Sequence, residues 1–243
     1  YYKEVDEAVR RAVSYHPRIK MVFRSLDKSF LMYDKDAWNT TAPAPNYLND
    51  RNPWNDVNYI WNKEVIFGNV RGVFARTRAG GRTTTFDEYM HWAPDKEWGR
   101  EAVLKTFDRP DSVKEPVPFT QEDRELVREN VEQNILATAR ANPDITFYCF
   151  IPPYSIAYWH SELIAKGEFE RQLSALRLMT DMLTECDNIR LFGFDDQFSI
   201  ICDLDNYMDV IHYSEKVGDQ LLEWMAAGEH RLTTVSYTHL RAH

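Results

Sequence analysis

The stretch NYMDVIHYS, residues 206–214, places a carboxylate, Asp209, three residues before an imidazole, His212. A carboxylate on one ring nitrogen of a histidine fixes its tautomer and stabilises the imidazolium. The other nitrogen is then left to take a proton from a hydroxyl nucleophile. Two intervening residues on one loop can deliver that contact. The spacing alone is a weak signal in a chain with seven histidines, because a surface turn with an acid ahead of a helix gives the same string. Position in the fold has to decide.

Other residues compete for a chemical role. Ser155 precedes the pair in the order Ser, Asp, His, which is one of the known triad orders, but no G-x-S-x-G turn surrounds it. A hydroxyl capping the chain after the Pro152-Pro153 break is the preferred reading, and Ser25 has no better claim to be a nucleophile. Glu88 and His91 repeat the acid-x-x-His form and read as a surface pair one helical turn apart. The chain has no HExxH and no C-x-x-C, so neither a metal site nor a cofactor is expected. Cys149, Cys186 and Cys202 are odd in number, far apart and set in apolar context, which predicts buried free thiols.

The elements that must position the pair alternate in type. A helix with Val5, Val9, Ala12 and Val13 on one face ends at His16-Pro17, and RIKMVFRSLD then reads as a buried strand centred on Ile19, Met21, Val22 and Phe23. From about 28 to 118 the character changes to a Trp-, Asn- and Pro-rich insertion with short helices expected near 57–74 and 96–107. Five of the seven tryptophans lie there: Trp38, Trp54, Trp61, Trp92 and Trp98. They could line a sugar or acyl pocket with Tyr59, but the core of a small subdomain is preferred.

Thr120 and Asp123 then open a long amphipathic helix that Asn142-Pro143 stops. ITFYCFIPPYS gives a strand with a sharp exit, residues 168–185 a helix, and NIRLFGFDD a third strand. A last helix runs from Glu215 to Met225 behind Ser214 as N-cap. Alternating strands and helices predict a parallel sheet with helices on both faces, whose functional groups gather beyond the C-terminal strand ends. RSLD, PPYS and DDQF occupy such positions, and the Asp209–His212 segment follows the last of them.

The bulk numbers bound the partners. With 29 basic against 38 acidic residues the formal charge is −9, and no Lys/Arg run could track phosphates, so nucleic acid is not an expected partner. A hydrophobic content of 44% is ample for a packed core. No apolar run approaches the roughly 18 residues needed to span a bilayer. The chain opens in mid-helix without methionine, which predicts missing upstream sequence, and VSYTHLRAH after the last helix has no periodicity. Residues 233–243, with His239 and His243, are set aside as a non-native tail.

The strand ending in Pro-Pro (Ile151 to Pro153), the helix, the short strand from Ile189 to Phe194, and Asp209-x-x-His212 leading into a terminal helix together resemble the C-terminal part of an SGNH/GDSL-type hydrolase. The resemblance implies a three-layer α/β sandwich with a mainly parallel, flavodoxin-like sheet, N-terminally truncated, as one domain over 1–232 that carries the insertion. It implies that His212 is the general base and Asp209 its orienting acid, and that the nucleophile of a Gly-Asp-Ser-like turn lies upstream, leaving these residues alone inactive. The family's Gly-x-Asn-Asp block falls on Arg24-Ser25-Leu26-Asp27, where only Asp27 matches. Ser25, Asp27, Tyr154 and Ser155 border the expected space and are the substrate-contact candidates. The implied activity is serine esterase or acyltransferase chemistry on acyl or acetyl esters, including those of a carbohydrate, by an extracytoplasmic, membrane-anchored parent. The alternative is a non-catalytic binding or cell-surface assembly protein that keeps the scaffold.

Overall fold

A computed structural model of the protein describes residues 1–39, 70–80 and 96–233, with Asn52, Trp54, Asn55, Val57, Trp61 and Phe67 as isolated positions between them. The chain divides into two compact units, residues 1–38 with 97–243 and residues 39–96. The first unit is mixed α/β around an open four-stranded sheet in the order β1-β2-β3-β4. α1 (Tyr2–Tyr15) leads into β1 (Met21–Ser25); β2 is Thr146–Ile151, β3 Ile189–Gly193 and β4 Arg231–Leu232. β1, β2 and β3 are parallel, with Phe23 opposite Tyr148 and Tyr148 opposite Arg190. The two-residue β4, unsignalled in the sequence, returns antiparallel to β3.

Described helical residues of the second unit include α2 (Arg71–Arg78). The short helix expected near 96–107 is α3 (Arg100–Thr106), which lies in the first unit. Trp54 and Trp61, preferred as subdomain core, are instead 85% and 75% exposed. Tyr59, Glu88, His91 and Trp92 lie outside the described residues, as does the tail from residue 234.

The long helix before β2 starts as expected. Thr120 Oγ1 accepts from Asp123 N (3.1 Å) and Asp123 Oδ2 accepts from Thr120 N (2.9 Å), a closed capping box at the head of α4 (Gln121–Val131). It continues through a π-helical stretch, Glu132–Leu136, into α5 (Ala137–Ala141). There the carbonyl of Asn134 takes a hydrogen bond from the buried Arg24 guanidinium (Nη1, 2.7 Å), so a β1 side chain is seated where the helix widens.

Alternation on β2 sets the core. Phe147, Cys149 and Ile151 are buried with Val127, Val131 and Ile135, and with Ala175, Met179 and Leu183 of α7 (Phe169–Thr184). A second cluster gathers Phe192 and Phe194 with Val217, Leu221 and Met225 of α9 (Glu215–Ala227), which ends in the left-handed Gly228 (φ 76°).

Several expectations need correction. Met21 and Phe23 are not buried but 50% and 53% exposed, because they share with Ser25 the uncovered face of β1, whereas Val22 and Arg24 on the opposite face are covered; Phe23 stacks on Tyr148 at 5.0 Å. The buried face of α1 carries Tyr2 and Asp6; the Asp6 carboxylate pairs with Arg10 (2.7 Å) and lies 3.7 Å from the Arg24 guanidinium, while Val5 faces out. Ser214 stands at the N-cap of α9, but its hydroxyl makes no capping bond. Cys202 follows the short helix α8 (Phe198–Ile201) and is exposed, unlike Cys149 and Cys186.

Candidate functional site

The Asp209–His212 segment is the tip of a tight loop. Its base is closed by Ser214 N donating to Asn206 O (2.8 Å), a bridge between Tyr207 and Tyr213, and Met208 N donating to His212 O (3.0 Å). Asp209 Oδ1 accepts from the backbone N–H of both Ile211 and His212, each at 2.8 Å, which is an Asx-type turn built by the sequence itself. The other carboxylate oxygen is thereby aimed at the ring, and Asp209 Oδ2 stands 2.7 Å from His212 Nδ1.

Burial raises the Asp209 pKa, but the bonds from the His212 N–H, the His212 ring and the Ile211 N–H outweigh it and leave the carboxyl below its ordinary range. Ionised, it can only accept, so the proton of that contact sits on Nδ1. The basic lone pair of a neutral His212 is then on Nε2. The ring is half exposed and Asp209 largely covered. This is the relative placement of orienting acid and general base in a hydroxyl-activating triad.

The loop is fastened to the end of β2. Ser155 N (3.2 Å) and Ser155 Oγ (2.8 Å) both donate to Val210 O, and the Tyr207 phenol donates to Pro153 O (2.7 Å). Gly99 N, just ahead of α3, donates to Tyr207 O (2.8 Å). The pair therefore stands beyond the C-terminal end of a parallel strand, where the alternation of elements placed it.

The other candidates divide. Ser155 is fully buried; its hydroxyl also accepts from Tyr158 N (3.4 Å), which makes it the cap of the helical turn α6 (Ile156–Tyr158). Tyr154 is buried against Tyr158, ring centroids 4.7 Å apart. Burial first, then the charge of Asp27 and a hydrogen bond to it, push the Tyr154 phenol far above its ordinary pKa. Asp27 is half-buried, with Oδ1 accepting from Ser29 N (2.8 Å), and Ser25 is exposed at the end of β1. The structure thus joins Asp27 to Tyr154, and Ser155 to the loop of Asp209 and His212.

Sequence reasoning missed Lys28, which it had assigned to the insertion. Its ammonium is fully buried and forms an ion pair with Asp195 just past β3. It also donates to Pro152 O (3.2 Å) and lies over the rings of Tyr154 and Trp159, 4.5 and 4.6 Å from their centroids. Burial pushes Lys28 down and Asp195 up from their ordinary values, while their mutual attraction opposes both shifts. A cation immediately following the strand-end Asp27, with DDQF at the third strand end, was the available signal.

Among the described residues no group of three or more His, Cys, Asp or Glu side chains could hold a metal ion, and no helix is long and apolar enough to cross a membrane. Set against known protein families, curated proteins and solved structures, the chain matches none of them.

Proposed function

We propose that this chain carries the acid–base half of an SGNH-like serine hydrolase or acyltransferase. His212 is the general base and Asp209 the residue that fixes its tautomer. The observation that carries the reading is the 2.7 Å contact from Asp209 Oδ2 to His212 Nδ1 on a loop tied to the C-terminal end of β2. The parallel pairing of β1, β2 and β3 is what a flavodoxin-like, three-layer scaffold would require of these strands. In the reaction, Nε2 accepts the proton of a serine hydroxyl as its oxygen attacks an ester carbonyl. The same nitrogen returns the proton to the departing alkoxide, and water or an acceptor alcohol repeats the sequence on the acyl-enzyme. Acyl or acetyl esters of a carbohydrate are the proposed substrates, a choice resting on the resemblance.

The test is hydrolysis of a panel of acetyl esters, simple and sugar-borne, by the full-length gene product. His212→Ala should lower kcat by about 10^4- to 10^6-fold and Asp209→Asn by about 10^4-fold. Turnover that survives His212→Ala within tenfold would remove His212 from the mechanism.

A further inference from the structure

Ser155 is a fully buried hydroxyl whose proton is in use: it donates to Val210 O and accepts from Tyr158 N. Val210 is the residue inside the Asp209–His212 tip. Other polar backbone contacts of that tip run within the loop, from Met208 N to His212 O and from the N–H groups of Ile211 and His212 to Asp209 Oδ1. The Val210 carbonyl is bonded outside the loop, and Ser155 meets it twice, through N and Oγ.

We propose that Ser155 is a positioning residue: its hydroxyl sets the tilt of the Asp209–His212 tip and so keeps the His212 proton on Nδ1. The proposal rests on the reading of the pair as base and orienter, and it gives Ser155 a task that a nucleophile could not share, because its proton is already committed to Val210 O. Tyr207 supports the same loop one step earlier through Pro153 O, so the tip has a near anchor and a far one. The near anchor controls the angle of the imidazole to the carboxylate. The far anchor holds the loop to the sheet whatever that angle is.

The experiment reads the tautomer directly and needs no substrate. Nitrogen-15 spectra of histidine-labelled protein, taken at a pH where imidazoles are neutral, distinguish Nδ1–H from Nε2–H, and His212→Ala assigns the signal. The wild type should show the Nδ1–H form. In Ser155→Ala the Nε2–H share should rise, by at most about fivefold, the factor reached if the whole of one ordinary hydrogen bond is coupled to the tautomer. Asp209→Asn should shift it at least as far, and Ser155→Thr, which keeps the hydroxyl, should restore the wild-type spectrum. The signals of the other histidines report whether the fold persists. If Ser155→Ala disturbs them all, Ser155→Cys, which keeps the volume and weakens the donor, is read in the same way. A His212 tautomer unchanged by loss or weakening of the hydroxyl would overturn the proposal. So would an unchanged response on going from Ala to Thr. A Ser155 effect on the tautomer in a protein without esterase activity would sink the catalytic reading and leave the positioning intact; activity with an insensitive tautomer would do the reverse.

Discussion

Lys28 and Asp195, 167 residues apart in the chain, form an ion pair that ties the segment after β1 to the segment after β3. The Pro152 carbonyl between them supplies a second acceptor, so one ammonium spans the ends of three adjacent strands. A charge removed this far from water is tolerated only with its partner in place.

Lys28→Ala should therefore destabilise the protein by about 3–5 kcal/mol at neutral pH, because it strands the Asp195 carboxylate beside an apolar gap. Lys28→Met combined with Asp195→Leu should recover most of that loss. Denaturant midpoints of the single and double variants check this. A double variant no more stable than Lys28→Ala would contradict it.

The fastening of α4 to α7 should be visible in acid. Hydrogen bonds from Arg171 hold the Asp123 carboxyl down to about 2, against the effect of burial and with help from Thr120. The unfolded chain binds that proton first, at its ordinary pKa of about 4. The stabilisation is thus fully present above pH 4 and is lost as the pH falls toward 2. Asp123→Asn should be less stable than wild type at pH 6, and the gap should close progressively between pH 4 and 2. A gap that stays constant across that range would show that Asp123 acts only through its shape.

The three thiols should separate by accessibility. Burial pushes Cys149 up to about 11 and also raises Cys186, whereas Cys202 is exposed. Iodoacetamide at pH 8 should modify Cys202 in the folded protein and all three after unfolding. Mass spectrometry locates the adducts, and rapid labelling of Cys149 in the native state would show that the core opens.

Much of the scaffold was legible in the string because it follows from local rules. The capping box at Thr120 and Asp123, the Asn142-Pro143 stop and the strand that exits at Pro152-Pro153 each fall where the structure has them. The contact between Asp209 and His212 was legible for the same reason, since the turn that aims the carboxylate forms among residues 209–212. What could not be read depends on neighbours distant in sequence. Whether Met21 and Phe23 are covered depends on what packs on their face of the sheet, and the buried Asp6 meets Arg24 of β1 as well as Arg10 of its own helix. Lys28 looks like a surface lysine until Asp195 meets it. Ser155 was weighed as a nucleophile, a cap and a substrate contact; its bond to Val210, 55 residues away, has no sequence signal.

The central claim is that His212, oriented by Asp209, activates a serine. Labelling of the full-length gene product with a fluorophosphonate probe, followed by peptide mapping, tests it most directly, because the probe bonds only to a serine whose proton is being removed. One serine other than Ser155 should be labelled, with labelling abolished in His212→Ala, strongly slowed in Asp209→Asn and retained in Lys28→Met/Asp195→Leu. Labelling that is absent from the folded wild type, or equally fast without His212, would contradict it.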